Sequence, residues 1–169
     1  MGLAEHRGES PAAIRFAVIT VSDTRSVRSD RGGDFLVAAI MEAGHQVASR
    51  TLVRDEAAKI EAAVREAVGR EDVDLILTTG GTGISPRDVT APTLERMFES
   101  SIPGFGELFR WLSFREIGSA TLLSRATAGL VQGKVVLALP GSPKALQLAM
   151  REIVLPEAGH LVSQSRGPK

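Results

Sequence analysis

Four short stretches rich in apolar and β-branched residues divide the chain. In the segments between the first three stretches, apolar residues recur at the spacing of a helix. The four stretches are residues 14–22, 46–53, 73–80 and 134–141. Their length and composition predict β-strands. The first and third are almost continuously apolar, which is typical of strands buried on both faces of a sheet.

Helical spacing appears between the first two predicted strands. Apolar residues recur at Phe35, Leu36, Ala39 and Ile40, and the pattern stops at Gly44. An amphipathic helix that ends at a glycine gives this pattern. Residues 56–69 repeat it between the second and third strands. Strands that alternate with helices predict an α/β fold with a mostly parallel sheet covered on both faces.

The second half of the chain predicts three further helices, at residues 91–100, 103–114 and 143–164. Pro92 and Pro103 are suited to the start of a helix, whereas Pro156 predicts a break in the last one. Residues 116–134 fit either a helix or a short additional strand before the final strand of the sheet. These elements predict a single domain at residues 14–162, with loose ends at 1–13 and 163–169.

Composition narrows the class of protein. A chain of 169 residues, 43% apolar and 24% charged, is typical of a globular domain. Neither a span of about 20 apolar residues nor a secretory signal appears, so we expect a cytoplasmic protein that is not bound to a membrane. The 20 basic and 20 acidic residues cancel, which argues against nucleic acid as a partner.

The absence of cysteine excludes disulfides, thiolate nucleophiles and cysteine-bound zinc. The three histidines are not spaced as metal ligands, so the remaining metal option is a hard ion held by carboxylates and phosphates.

Polar and glycine residues follow each predicted strand, where the open parallel sheet of an α/β protein binds its ligands. They are Ser22 and Asp23 after the first strand, Asp55 after the second, a glycine loop after the third, and Gly141, Ser142 and Lys144 after the fourth. We expect these four loops to converge at one edge of the sheet.

The glycine loop lies within TTGGTGISPRDVT, residues 78–90. Gly80, Gly81 and Gly83 allow positive φ angles and bring backbone N–H groups close to an anion. The loop lacks the Gly-Lys-Ser/Thr of a Walker loop and the glycine spacing of a dinucleotide fingerprint. A tight strand-to-helix turn without a ligand is an equal alternative at this point.

Two acids beside this loop also have alternative roles. Taken alone, Asp55 fits a helix cap and Asp88 fits a turn. Taken together beside a phosphate-type turn, they fit Mg²⁺, which prefers one or two carboxylates plus phosphate oxygens. Arg125 and Lys144 are candidate donors to a phosphate. Trp111 and Phe114 predict packing in a core or a subunit interface.

Four motifs, in this order, carry a family resemblance: TTGGTGISPRDVT, PGFGELFR, the SR of LLSRATAG, and LPGSPKA. They resemble the molybdenum cofactor biosynthesis family that contains MoaB, MogA and the G domain of gephyrin. The resemblance runs over about residues 16–161, and residues 105–126 look closest to the MoaB branch.

The resemblance implies a three-layer α/β/α fold, assembly into trimers or hexamers, and contacts with other proteins of cofactor biosynthesis. It also implies molybdopterin as the substrate and ATP with Mg²⁺ as the source of AMP for the terminal phosphate of molybdopterin, with release of pyrophosphate. The alternatives are a non-catalytic molybdopterin carrier and the chemistry of the related competence-damage-inducible and molybdate-inserting proteins. The glycine loops of those proteins diverge after the second glycine.

The family's site residues map onto this sequence by motif. Asp55 and Asp88 match the catalytic, metal-binding acids. The loop at Gly80, Gly81, Thr82 and Gly83 matches the phosphate-binding backbone, with Thr90 orienting Asp88 and with Ser22 and Asp23 lining the same opening. The implied substrate-binding residues are Glu107, Ser124, Arg125, Gly141, Ser142 and Lys144. Pro92 comes one residue later than in many relatives, which predicts a small shift in the start of the following helix.

Overall fold

A computed structural model describes residues 11 and 13–167 of the chain. Its six strands are β1 (Arg15–Val21), β2 (Gln46–Val53), β3 (Leu75–Thr79), β4 (Ser100–Ser101), β5 (Thr127–Val131) and β6 (Lys134–Leu139). They form one sheet in the order β2-β1-β3-β6-β5-β4. The first four in that order are mutually parallel, and β5 and β4 add an antiparallel edge.

The α-helices are α1 (Arg31–Glu42), α2 (Ala57–Gly69), α3 (Thr90–Met97), α4 (Pro103–Ile117), α5 (Pro143–Ala149) and α6 (Leu155–Ser165). A 3₁₀ segment, Gly118–Leu123, follows α4, and a π turn, Met150–Val154, joins α5 to α6.

Two hydrophobic cores lie on opposite faces of the sheet because successive strand residues point to opposite sides. Phe16, Val18 and Leu75 belong to the core that also contains residues of α1, α4, α5 and α6. Ala17 and Ile76 belong to the other, with residues of α2 and α3. The predicted three-layer fold with a mostly parallel sheet is therefore confirmed.

Residues 116–134, which the sequence left between helix and strand, contain both the 3₁₀ segment and the antiparallel strand β5. Gln132 and Gly133 connect β5 to β6 with φ angles of 49° and 72°. Two consecutive positive φ angles are typical of a two-residue hairpin turn. The turn reverses the chain, so β5 runs against the parallel strands.

The helix predicted at residues 91–100 is shorter than expected. It begins at Thr90, before Pro92, and ends at Met97. Ser100 pairs with Leu130 of β5, so the assignment of Ser100 to the helix is wrong.

The predicted break near Pro156 takes a different form. The chain remains helical through the π turn, and Pro156 occupies the first turn of α6. A proline ring normally clashes with the carbonyl four residues earlier, here that of Glu152. Because Glu152 lies inside the π turn, the wider turn accommodates the ring without ending the helix.

The last helix continues to Ser165, inside the segment predicted to be a loose tail. Arg166 then donates to Asp74 at 2.5 Å. The remaining residues of the two predicted tails, 1–10, 12 and 168–169, lie outside the described residues. Within the described part of the chain, no helix is both long and apolar enough to cross a membrane.

Candidate functional site

The glycine loop that follows β3 is fixed against the ends of two neighbouring strands. Gly80 and Gly81 have φ angles of 101° and 67°, a region that favours glycine. A Cβ atom at Gly80 would lie 2.3 Å from the carbonyl oxygen of Val21 in β1. On the other side, the N–H of Gly80 donates to the carbonyl of Leu139 in β6 at 3.1 Å. Both glycines are therefore required by backbone geometry, and the loop is anchored to the sheet.

Asp55 connects the loop after β2 to the end of the glycine loop. Its Oδ1 accepts a hydrogen bond from the N–H of Val89 at 3.3 Å. The N-cap of α2 is Glu56 rather than Asp55, and the Glu56 side chain makes no capping bond. The helix-cap alternative for Asp55 is therefore wrong.

Asp88 has the turn role that the sequence allows and also faces a cavity. Its Oδ2 accepts from the N–H of Ser85 at 3.0 Å. The same oxygen lies 2.8 Å from the position that a Cβ atom would take at Gly83. Asp88 lines the cavity described below.

The electrostatic environment of Asp55 is unfavourable to its charged form. Burial raises the pKa of Asp55, and the negative charges of Asp23 and Asp88 raise it further, against the opposing hydrogen bond from Val89. Acids supplied by loops after three different strands therefore lie within electrostatic range of one another, as the sequence predicts.

Asp23 and Ser22 occupy the loop after β1. Asp23 accepts from the guanidinium of Arg87 through Oδ2 and from the N–H of Asp55 through Oδ1, the latter at 3.2 Å. The Arg87 hydrogen bond is the main cause of the lowered pKa of Asp23, with the Asp55 N–H second. The hydroxyl of Ser22 accepts from the N–H of Arg25 at 3.2 Å, so it shapes the turn.

Thr90 does not make the contact that the resemblance implies. Its Oγ1 is buried and has no hydrogen-bond partner among the described residues, so it does not hold Asp88. A Cβ atom at Gly81 would lie 2.2 Å from this oxygen and 2.9 Å from Oδ1 of Asp55. The Thr90 hydroxyl and the Asp55 carboxylate therefore lie on the same side of Gly81 without a hydrogen bond between them.

A cavity of about 400 Å³ opens on the side of the glycine loop that carries Asp88. Its walls fall into a polar and an apolar part. Predicted site residues of the polar part are Gly80, Gly81, Thr82, Gly83, Asp88, Ser124, Gly141 and Ser142. The apolar part includes Phe109, Ile117, Ala120 and Leu123.

Arg125 is hydrogen-bonded to the glycine-loop segment and does not itself line the cavity. Its Nε donates to the carbonyl of Gly83 at 2.7 Å and its Nη2 to the carbonyl of Asp88 at 2.5 Å. Ser142 caps α5 by accepting from the N–H of Ala145. Lys144 and Glu107 are exposed and are not among the residues that line the cavity.

The sequence analysis missed the apolar wall of the cavity. Phe109 and Ser113 are buried on α4, and Ala120 and Thr121 lie in the 3₁₀ segment. No local motif marks these residues, because only the tertiary fold brings them opposite the glycine loop.

No group of three or more potential metal-ligating side chains occurs within the described residues. Asp55 and Asp88 supply two carboxylates, which is the number that Mg²⁺ uses when phosphate oxygens complete its shell.

The structure is a three-layer α/β domain with a candidate ligand site, the cavity at the carboxyl edge of a mostly parallel sheet. Residues 17–160 match a family model described as a probable molybdopterin binding domain. The chain belongs to this family of molybdenum cofactor biosynthesis proteins, in agreement with the motif resemblance.

Individual relatives agree with this assignment. Molybdenum cofactor biosynthesis protein B of Bacillus cereus is 44% identical over 162 residues, covering 95% of this chain and 96% of its own. A crystal structure of molybdenum cofactor biosynthesis protein B has a TM-score of 0.91 at 43% identity, covering 95% and 100% of the two chains. The tungsten cofactor synthesizing protein MoaB from Pyrococcus furiosus has a TM-score of 0.85 at 35% identity, covering 93% and 99%.

Proposed function

We propose that this protein binds molybdopterin in the cavity and transfers AMP from ATP onto the terminal phosphate of molybdopterin. One observation carries the proposal: Asp55 and Asp88, from loops after different strands, approach the same glycine loop beside a cavity of about 400 Å³. That arrangement suits a reaction between two phosphate groups, in which positioning and charge neutralisation matter more than a covalent residue.

The two parts of the cavity wall suit the two parts of the substrate. Phe109, Ile117 and Leu123 offer apolar surface to a flat heterocyclic ring. The backbone of Gly81 and Gly83 offers N–H groups to a phosphate at the opposite end, whereas the N–H of Gly80 is used by the sheet. Binding in this orientation brings the terminal phosphate of molybdopterin next to Asp88.

The proposed reaction is an in-line displacement at phosphorus. An oxygen of the molybdopterin phosphate attacks the α-phosphorus of ATP, and a new phosphorus–oxygen bond forms. The bond between the α-phosphorus and the bridging oxygen breaks, and pyrophosphate leaves with the electron pair. The nucleophile is already an anion, so no protein base is needed; the loop amides and the Lys144 ammonium offset the developing charge.

The residues around the loop fit Mg²⁺ in this scheme. Burial and the carboxylates of Asp23 and Asp88 raise the pKa of Asp55, so a nearby cation would favour its charged form. Asp55 and Asp88 would hold the ion, and the hydroxyl of Thr90, which has no hydrogen-bond partner among the described residues, lies on the same side of Gly81 as Asp55. Bound Mg²⁺ supplies neutralisation of the phosphate charge.

We also propose that copies of the chain associate through α4 and the 3₁₀ segment, giving a trimer or hexamer. Trp111 and Phe114 are 58% and 57% exposed, and Leu122 is 70% exposed, although all three are large and apolar. An exposed apolar patch of this kind is typical of an interface.

Ile117 and Leu123 belong to the same patch and line the cavity, so a second copy seated there would also cover the substrate. Size-exclusion chromatography with light scattering measures the assembly directly.

Incubation of the purified protein with molybdopterin, ATP and Mg²⁺ tests the transfer. We expect adenylylated molybdopterin and pyrophosphate from the wild type and at least about a hundredfold less from Asp55→Asn and Asp88→Asn. Glu56→Gln is the matched control, because Glu56 is an exposed neighbour of Asp55 with no cap bond, and should retain activity. Tight molybdopterin binding without product would indicate a carrier instead.

A further inference from the structure

Arg87 lies in the glycine-loop segment next to Asp88, but its side chain points to the loop after β1. Its Nη2 donates to Oδ2 of Asp23, and the two side chains are 75% and 23% exposed. The other oxygen of Asp23 accepts from the N–H of Asp55. The guanidinium of Arg87 is therefore held at the group of acids that surrounds Asp55.

The other cations of the site are differently placed. Arg125 uses Nε and Nη2 to hold the carbonyls of Gly83 and Asp88, so moving it would release the loop. Lys144 is exposed on α5 and is not among the residues that line the cavity. Arg87 lies beside the acids, and its ion pair with Asp23 is easily broken. An exposed ion pair changes an equilibrium constant by at most about fivefold.

A second observation marks the same side of the glycine loop as a place for ligand atoms. Thr90 Oγ1 is buried there without a hydrogen-bond partner among the described residues, on the same side of Gly81 as Oδ1 of Asp55. A buried hydroxyl normally has a hydrogen-bond partner, so this one has capacity for an oxygen that the protein itself does not supply.

We infer that Arg87 binds the phosphates of the polyphosphate substrate, and that Asp23 holds the guanidinium until the substrate arrives. Asp23 and the phosphates thus compete for one cation. This inference rests on the proposed function and adds a binding residue to that site. In the exchange, the guanidinium leaves Oδ2 of Asp23 and pairs with a phosphate, while Oδ1 of Asp23 keeps its hydrogen bond from the N–H of Asp55.

Isothermal titration of the full-length protein with inorganic pyrophosphate, without divalent cation, tests the competition. We expect Asp23→Asn to tighten pyrophosphate binding about two- to fivefold, because it removes the competitor. Arg87→Ala should weaken binding about tenfold, with partial recovery in Arg87→Lys. In the double variant Asp23→Asn/Arg87→Ala, the gain from Asp23→Asn should disappear.

Two matched controls separate competition from general charge effects. Glu56→Gln removes an acid and Arg54→Ala removes a base on the loop next to Asp23. Glu56→Gln should change the pyrophosphate affinity less than Asp23→Asn, which also removes an acid. Arg54→Ala should change it less than Arg87→Ala, which also removes a base. Thermal unfolding of every variant checks that the fold is retained.

The inference is overturned if Arg87→Ala binds pyrophosphate like the wild type, if Asp23→Asn fails to bind it, or if the double variant retains the gain. The titration uses neither molybdopterin nor ATP, so its outcome is independent of AMP transfer. A protein that shows the competition but forms no adenylylated product would keep this inference and lose the proposed function.

Discussion

Replacement of Asp74 by asparagine removes the most strongly paired acid at the amino edge of the sheet. Asp74 precedes β3, is 7% exposed, and accepts from Nε, Nη2 and the backbone N–H of Arg15 at 2.8–2.9 Å. It also accepts from Arg166, which follows α6. One carboxylate therefore connects β1, β3 and the end of the last helix.

The pKa of this acid sets the magnitude of the effect. Burial alone raises the pKa of Asp74, but hydrogen bonds from Arg15 and the charges of Arg15 and Arg166 outweigh burial and lower it from 3.8 to about 2. A shift of this size corresponds to about 2 kcal/mol of stability at neutral pH. We expect Asp74→Asn to lose about that amount, which lowers the melting temperature by roughly 4–8 °C in a domain of this size.

The pH dependence distinguishes charge from packing. Because the folded pKa is depressed, the contribution is complete above the unfolded pKa of 3.8 and is lost as the pH falls towards about 2. Urea unfolding followed by circular dichroism, from pH 7 to pH 3, should show the gap between wild type and variant narrowing. Asp72→Asn is the control, because Asp72 is exposed and pairs only at the surface with Arg70. A gap that stays constant with pH, or an Asp72 effect of equal size, would refute the charge-based explanation.

Three other substitutions test features of the fold. Gly80→Ala should abolish ligand binding or lower expression, because the added Cβ would lie 2.3 Å from the Val21 carbonyl at a φ of 101°; titration of molybdopterin checks this. Gly129→Ala should lower the melting temperature by several degrees, because its Cβ would lie 2.3 Å from the Phe98 ring; calorimetry measures this. Burial lowers the pKa of His45, so stability should fall as the pH drops below about 6.5, and the urea midpoint of His45→Asn should lose that part of the pH dependence.

The sequence was sufficient for the features that depend on local periodicity. Strands β1, β3 and β6 are identifiable because their apolar runs are buried on both faces, and Gly80 and Gly81 are identifiable because positive φ angles need glycine. The edge strands β4 and β5 were harder to predict from the sequence. β4 has two residues, and β5 ends at a turn whose first residue, Gln132, is not a usual residue for a positive φ angle.

The roles of the site residues depend on contacts that no local pattern reveals. Asp23 and Arg87 are 64 positions apart in the chain, and their pairing follows only from the adjacency of β1 and β3. Thr90 follows Asp88 closely in sequence, yet in the first turn of α3 its hydroxyl lies against Gly81 and makes no hydrogen bond to Asp88. Motif matching names such residues, but it does not determine which of them touch.

The two ends of the cavity are built on supports of unequal rigidity. The end at the glycine loop rests on the sheet, where Gly80 is fixed between β1 and β6, so a substitution there disturbs the core as well as the cavity. The other end belongs to α4 and the 3₁₀ segment, where Ile117 and Leu123 remain exposed. If the proposed function is correct, a designer can alter the surface offered to the ring by exchanging Ile117 and Leu123 at little cost in stability, while keeping Thr121, which is buried and donates to the carbonyl of Arg110.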